Sequence, residues 1–119
     1  MVAVKAVLGK WGEDLAVLHL EAAGYEVLAR NWRCRDGELD VVARRDGTLC
    51  FVEVKTRSSD AFGLPAEAVG PQKSARIRRL AGRWLTENRP SGWSGLRFDV
   101  IAVRRTPAGP ELTHFESAF

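Results

Sequence analysis

The chain of 119 residues has little that serves redox or soft-metal chemistry. Its two cysteines, Cys34 and Cys50, form neither a disulfide framework nor a zinc-ligand spacing, which excludes a cystine scaffold and a zinc finger. No apolar run approaches the ~20 residues of a membrane span. The run from Met1 to Gly9 is apolar but lacks a cleavage pattern, so no signal peptide is expected. Repeats and low-complexity segments are missing too. These absences favour a reducing, cytoplasmic setting. Lysine is also scarce: only Lys5, Lys10, Lys55 and Lys73 among 18 basic residues, the rest being arginine, whose fork binds phosphate bidentately. The net charge of +3 permits a nucleic-acid partner without demanding one. Length and an ordinary 45% hydrophobic content fit one domain with a real core.

What is there centres on Gly37 to Arg57. Asp46-Gly47 lies between two runs rich in Val, Leu and Phe, a strong hairpin signal. With those two residues as the turn, Val42 faces Phe51, Asp40 faces Glu53 and Glu38 faces Lys55. Alternation along strands places Leu39, Val41, Ala43, Cys50, Val52 and Val54 on one apolar face. Glu38, Asp40, Val42, Phe51, Glu53 and Lys55 fall on the other. Like charges opposite one another destabilise a sheet, so Asp40 beside Glu53 calls for compensation. A divalent cation would supply it, since Mg²⁺ takes one or two carboxylates together with substrate phosphate. The same charges also fit a solvated face on which Lys55 pairs with Glu38. Phe51 and Val42 on that face imply partial cover, where carboxylates need partners.

Around the hairpin, periodicity predicts a loose arm over Met1 to Lys10 and a helix over Trp11 to Ala23. Trp11, Leu15, Leu18 and Ala22 form its apolar stripe, and Gly24 is its stop. Glu13 lies in the first turn beside Leu20, placed either for the helix dipole or near the carboxylates as a further metal or water ligand. His19 reads as a helix-flank histidine. Tyr25 to Cys34 reads as a strand whose Arg30 and Arg33 are either edge charges or phosphate contacts. The stretch SSDAFGLPAEAVGPQ reads as a loop able to serve as a lid or substrate guide. Pro71 opens a helix to Asn88 with an inward stripe of Ile77, Leu80, Ala81, Trp84 and Leu85, which Lys73 begins. Arg76, Arg79 and Arg83 form a basic stripe, either solvated or tracking phosphates. Leu96 to Val103, with Asp99 at mid-strand, and Glu111 to Phe115 complete an αβββαββ order.

Asp40, then Glu53-Val54-Lys55 on the next strand, with Glu13 on the preceding helix, resembles the catalytic core of the PD-(D/E)xK nucleases. Leu39 stands where that name puts proline. More narrowly, several segments resemble the YraN family of small bacterial proteins, described as endonuclease-like. These are Gly12-Glu13, Gly24-Tyr25, Arg30-Asn31 with Arg33, GELD at 37–40, FVEVKTR at 51–57, Gly63, Pro65, Glu67 to Val69, Lys73 and Arg97 to Val100. The resemblance implies a restriction-endonuclease-like α/β fold: a central mixed sheet with flanking helices. It implies hydrolysis of DNA phosphodiesters, with structured or branched DNA as the substrate class. Asp40, Glu53 and Glu13 would serve Mg²⁺ or Mn²⁺, and Lys55 would orient or activate the attacking water. Arg33, Arg57, Lys73 and Arg76 would hold the nucleic acid. Resolvase-like relatives imply a homodimer. The rival expectation is a non-enzymatic nucleic-acid-binding module that kept the fold.

Overall fold

A computed structural model describes residues 4–58 and 69–119, with the side chains of 4–6 left aside. Its elements are α1 (Val4–Ala22), β1 (Glu26–Cys34), β2 (Gly37–Arg45), β3 (Thr48–Arg57), α2 (Pro71–Asn88), β4 (Gly95–Thr106) and β5 (Gly109–Phe115). This is the αβββαββ order expected of a restriction-endonuclease-like chain. The five strands form one sheet in the order β1-β2-β3-β4-β5. Neighbours are antiparallel except β3 and β4, which run parallel, as the crossover through α2 requires. The loop expected to act as a lid falls largely on 59–68, outside the described residues. Among the described residues, no helix is long and apolar enough to cross a membrane.

The hairpin forms in the expected register, with Val42 opposite Phe51 and Ala43 opposite Cys50. Asp46 and Gly47 both take positive φ, 51° and 79°, as a tight primed turn requires. Phe51 is sandwiched between an edge-on Trp84 of α2 and a stacked Phe98 of β4. α2 thus covers one face of the sheet through Ile77, Leu80, Ala81 and Trp84, the expected stripe. It begins on Pro71, whose missing N–H costs nothing at a helix start. It ends on Arg89 in the left-handed conformation, whose N–H bonds the Leu85 carbonyl. α1 covers the other face, against Val41, Ala43, Cys50, Val52, Ile101 and Val103. Burial there pushes the Cys50 thiol up to about 11, so it behaves as a small hydrophobe.

Two expectations need correction. The first ten residues are not a loose arm from Val4 onward: α1 starts there, and a Lys10–Asp14 ion pair one turn apart links its extension to the predicted helix. Half of the apolar stripe is also misplaced: Trp11 and Leu15 pack against the core as expected, but Leu18 and Ala22 do not. Leu18 is 62% exposed and Ala22 lies in solvent, whereas Gly12, Ala16, Val17 and Leu20 are buried. The helix is rotated because its contact is set by a close approach, not by its bulkiest residues. A Cβ built on Gly12 would lie 2.0 Å from Thr56 Oγ1 of β3. Only glycine lets the helix lie that close to the sheet. The rotation turns Glu13, on the Leu20 side of the helix, toward the hairpin.

At the other end of α1 a second polar group is buried. Asp99 has no exposed surface. Arg97 grips it with contacts of 2.9–3.1 Å, His114 Nε2 lies 2.8 Å from it, and the Ser117 N–H donates at 3.0 Å. Arg97 also donates to the Tyr25 hydroxyl. His19, which had no evident partner in the sequence, meets His114 edge-on with 5.5 Å between ring centres. Burial pulls the Asp99 carboxyl upward, but the bonds from His114, Arg97 and Ser117 outweigh it and hold it below the ordinary value. This cluster ties β4, β5, α1 and the Tyr25 just before β1 together, so Asp99 serves the architecture.

Two stability predictions follow from these contacts. Gly12→Ala should lower unfolding stability by about 1–3 kcal/mol through overpacking, and adding Thr56→Ala should recover part of the loss in urea melts. Asp99→Asn should cost about 3 kcal/mol at neutral pH, because Arg97 loses its buried counter-charge. The lowered carboxyl stabilises the fold above its unfolded value of about 3.9 and loses that contribution as acid protonates it. The gap between the two proteins should therefore close in melts carried toward pH 2.

Candidate metal centre

The hairpin ladder ends at Val41 opposite Val52. Two pairs further on in the same register, the Val54 N–H would meet the Leu39 carbonyl. It donates instead to Asp40 Oδ2, at 2.9 Å. A buried backbone donor must find an acceptor, and here a side chain provides it, so the two strands can part. The alternation slips at the same place. Leu39 packs with Val42 in the cluster under α2, whereas Val41 packs under α1. The expectation that Leu39 shares a face with Val41 is thus overturned by the irregularity at Asp40.

The slip also divides the acidic group. Glu13 of α1, Glu38 and Asp40 bring carboxylate oxygens within 4.8 Å of one another. Glu53 and Lys55 instead meet Lys73 of α2. Lys73 Nζ lies 2.9 Å from Glu53 Oε1, and the Lys55 amine lies close to that of Lys73. Asp40 joins the two halves, lying close enough to Glu53 and Glu13 for both charges to act on its carboxyl. All four residues assigned to chemistry thus come together, but not on one strand face. Glu38 does not pair with Lys55. It accepts from Arg33 Nε at 2.6 Å across the β1–β2 ladder.

The electrostatics reflect crowding of like charge. Burial, and then the Glu53 charge, push the Asp40 carboxyl up to about 7, against the Val54 N–H that favours its anion. Burial also raises Glu13; a hydrogen bond from Asn31 opposes the rise and the Glu38 charge adds to it. Burial and the neighbouring Lys73 bring Lys55 down to about 8, despite the pull of Glu53 and Asp40. An all-oxygen donor set from three elements, short of counter-charge, suits a hard divalent cation.

Of the residues assigned to nucleic acid, Arg33 is exposed beside Glu38, and Arg57 is exposed at the end of β3. Lys73 is drawn in to Glu53, and Arg76 stands exposed one turn further along α2. Arg30 is bonded to Asp14 at 2.7 Å, as an edge charge. Arg83 is engaged by Asp36 and Glu87. Sequence reasoning gave no part to Asn31 and did not count Glu38 as a candidate ligand. Asn31 takes a positive φ of 50°, which asparagine tolerates better than most residues, and the turned backbone brings its side chain to Glu13. An asparagine inside a strand pattern was the available signal.

Comparison with known proteins agrees with the YraN resemblance. A UPF0102 protein of Frankia alni is 54% identical over 97% of this chain and 96% of its own. One from Mycobacterium sp. (strain KMS) is 56% identical over 92% and 83%, and one from Acidothermus cellulolyticus is 46% identical over 97% and 95%. Among solved structures, SfsA of Pyrococcus furiosus in complex with Ca²⁺ aligns with a TM-score of 0.36 and 14% identity. That alignment covers 94% of this chain but only 63% of the SfsA chain, less than two thirds of it. Residues 12–103 match the family described as "Uncharacterised protein family UPF0102", and the chain belongs to that family.

Proposed function

We propose that this protein is a metal-dependent nuclease that hydrolyses phosphodiester bonds of DNA, branched or structured DNA being the substrate class. The observation that carries the reading is the convergence of Glu13, Glu38, Asp40 and Glu53 around the parted hairpin, beside a partly buried Lys55. A non-catalytic phosphate binder gains nothing from buried carboxylates, which repel the backbone it must hold.

Asp40 and Glu53 are the central ligands for Mg²⁺ or Mn²⁺ in this reading, with Glu13 completing the set from α1 and Glu38 at its rim. The cation, when bound, stabilises the charge that develops on the phosphoryl oxygens. Asn31 orients Glu13 by hydrogen bonding. Lys55, its amine brought down to about 8 by burial and Lys73, would orient the attacking water or take its proton in this reading. Arg33, Arg57 and Arg76, all exposed, are assigned to flanking phosphates in this reading. A homodimer would place two such clusters on one branched substrate.

Purified protein should cut forked, flapped or four-way DNA in Mg²⁺ or Mn²⁺ and lose that activity in EDTA. Asp40→Asn, Glu53→Gln and Lys55→Ala should each lower the single-turnover rate by roughly 100-fold or more. Cleavage that survives Lys55→Ala would remove Lys55 from the mechanism. Salt-sensitive binding, indifferent to metal and without cleavage, would favour the binding-module reading instead.

The raised Asp40 carboxyl has a thermodynamic consequence with a definite sign. The folded state holds that proton up to about pH 7, whereas the unfolded chain releases it near 3.9. Its stabilising contribution is therefore full below about pH 4 and lost as pH rises through 7. Asp40→Asn, neutral at every pH, should melt higher than wild type at pH 8 without added metal. That advantage should shrink as pH falls from 7 to 4, and Mg²⁺ at pH 8 should narrow it by stabilising only wild type.

A further inference from the structure

Lys73 stands where a cation and a phosphodiester would both meet it. It lies in the first turn of α2, its Nζ 2.9 Å from Glu53 Oε1. The Glu53 side chain is 7% exposed and that of Lys73 32%. A buried anion is thus neutralised by a half-exposed cation on a flexible stem. Lys55 sits against Lys73, and the two amines share the counter-charge of Glu53 and Asp40. Arg76 is exposed on the following turn, a neighbour at three residues' spacing.

A divalent cation drawn to Asp40 and Glu53 competes with Lys73 for the same carboxylate. Once the cation takes Glu53, the Lys55 and Lys73 amines stand next to a dication with too little negative charge between them. An anion then relieves the repulsion, and a phosphodiester oxygen is the anion the site is open to. We propose that Lys73 is an internal counter-ion to Glu53, which a divalent cation displaces and which then holds the scissile strand's phosphate. Cation and nucleic acid accordingly bind with positive, reciprocal coupling. This rests on the reading of the carboxylates as a cation site. Lys73 is a positioning residue here, acting through Glu53 before substrate binds and on the phosphate afterwards. A purely structural Lys73, fastening α2 to β3, makes the opposite prediction: removing it would loosen Glu53 and weaken the metal site.

The test compares the full chain with Lys73→Met and Lys73→Arg. Mn²⁺ binding is followed by electron paramagnetic resonance, and binding of a fluorescein-labelled forked DNA by anisotropy with and without Ca²⁺. Lys73→Met should bind Mn²⁺ roughly tenfold tighter than wild type, because the competing ammonium is gone. It should also lose the rise in DNA affinity that Ca²⁺ produces in wild type, and Lys73→Arg should restore both. Mn²⁺ affinity equal to or weaker than wild type in Lys73→Met, or an undiminished Ca²⁺ effect on its DNA binding, overturns the proposal. Wild-type protein that binds no Mn²⁺ overturns the cation-site reading as well, which is a distinct result. A measurement on wild type alone guards against a misfolded variant. Acetylation of Lys73, read by mass spectrometry, should increase with Ca²⁺ and fall again when DNA is added; no change overturns the proposal.

Discussion

The bond from the Val54 amide to the Asp40 carboxylate is the constraint on which the site depends. A hairpin cannot simply open inside a covered sheet, because each backbone N–H it frees must be satisfied. Asp40 satisfies one and thereby allows β2 and β3 to part. The opening admits Glu13 from one side of the sheet and Lys73 from the other. It also brings Asp40 against Glu53, and burial together with that charge pushes the carboxyl up to about 7. The local instability and the candidate chemistry have one origin.

The two buried aspartates of this sheet make the contrast plain. Asp99 is fully enclosed, yet its carboxyl sits below its ordinary value, because an arginine fork, a histidine and a backbone amide surround it. Asp40 keeps some exposed surface, yet its carboxyl is raised, because the Glu53 and Glu13 charges add to burial and the Val54 N–H alone does not offset them. Burial acts in the same direction on both; the partners decide the sign. A satisfied buried acid belongs to the architecture. An acid raised by its neighbours stays poised to change its partners, and this difference separates the two clusters better than exposure does.

α1 links both clusters. Gly12 brings its first half onto β3 at Thr56, which aims Glu13 at the parted strands. Its last turn carries His19 to His114 beside Asp99. A helix packed through a glycine is held by backbone approach, and its orientation is then less adjustable than one set by long side chains. That suits a helix that must deliver one carboxylate to a fixed place.

Much of this was legible in the sequence. Turn chemistry at Asp46-Gly47 and the alternation around it were enough for the hairpin register, and 3.6-residue periodicity was enough for α2, its inward stripe and the inward Lys73. These are local signals, carried by residues whose neighbours in space are near in sequence. The rotation of α1, the slip at Asp40 and the Asp99 network were not legible in that way. Each depends on an approach between distant segments: Gly12 to Thr56, the Asp40 carboxylate to the Val54 amide, Arg97 and His114 to a common carboxylate. Periodicity reads the bulk of side chains, and here a missing side chain set the helix face. The sequence by itself determined which acids and bases the chain could offer. Only the tertiary structure decided which acid is held as an anion and which is pushed up, because that is a property of what closes around it.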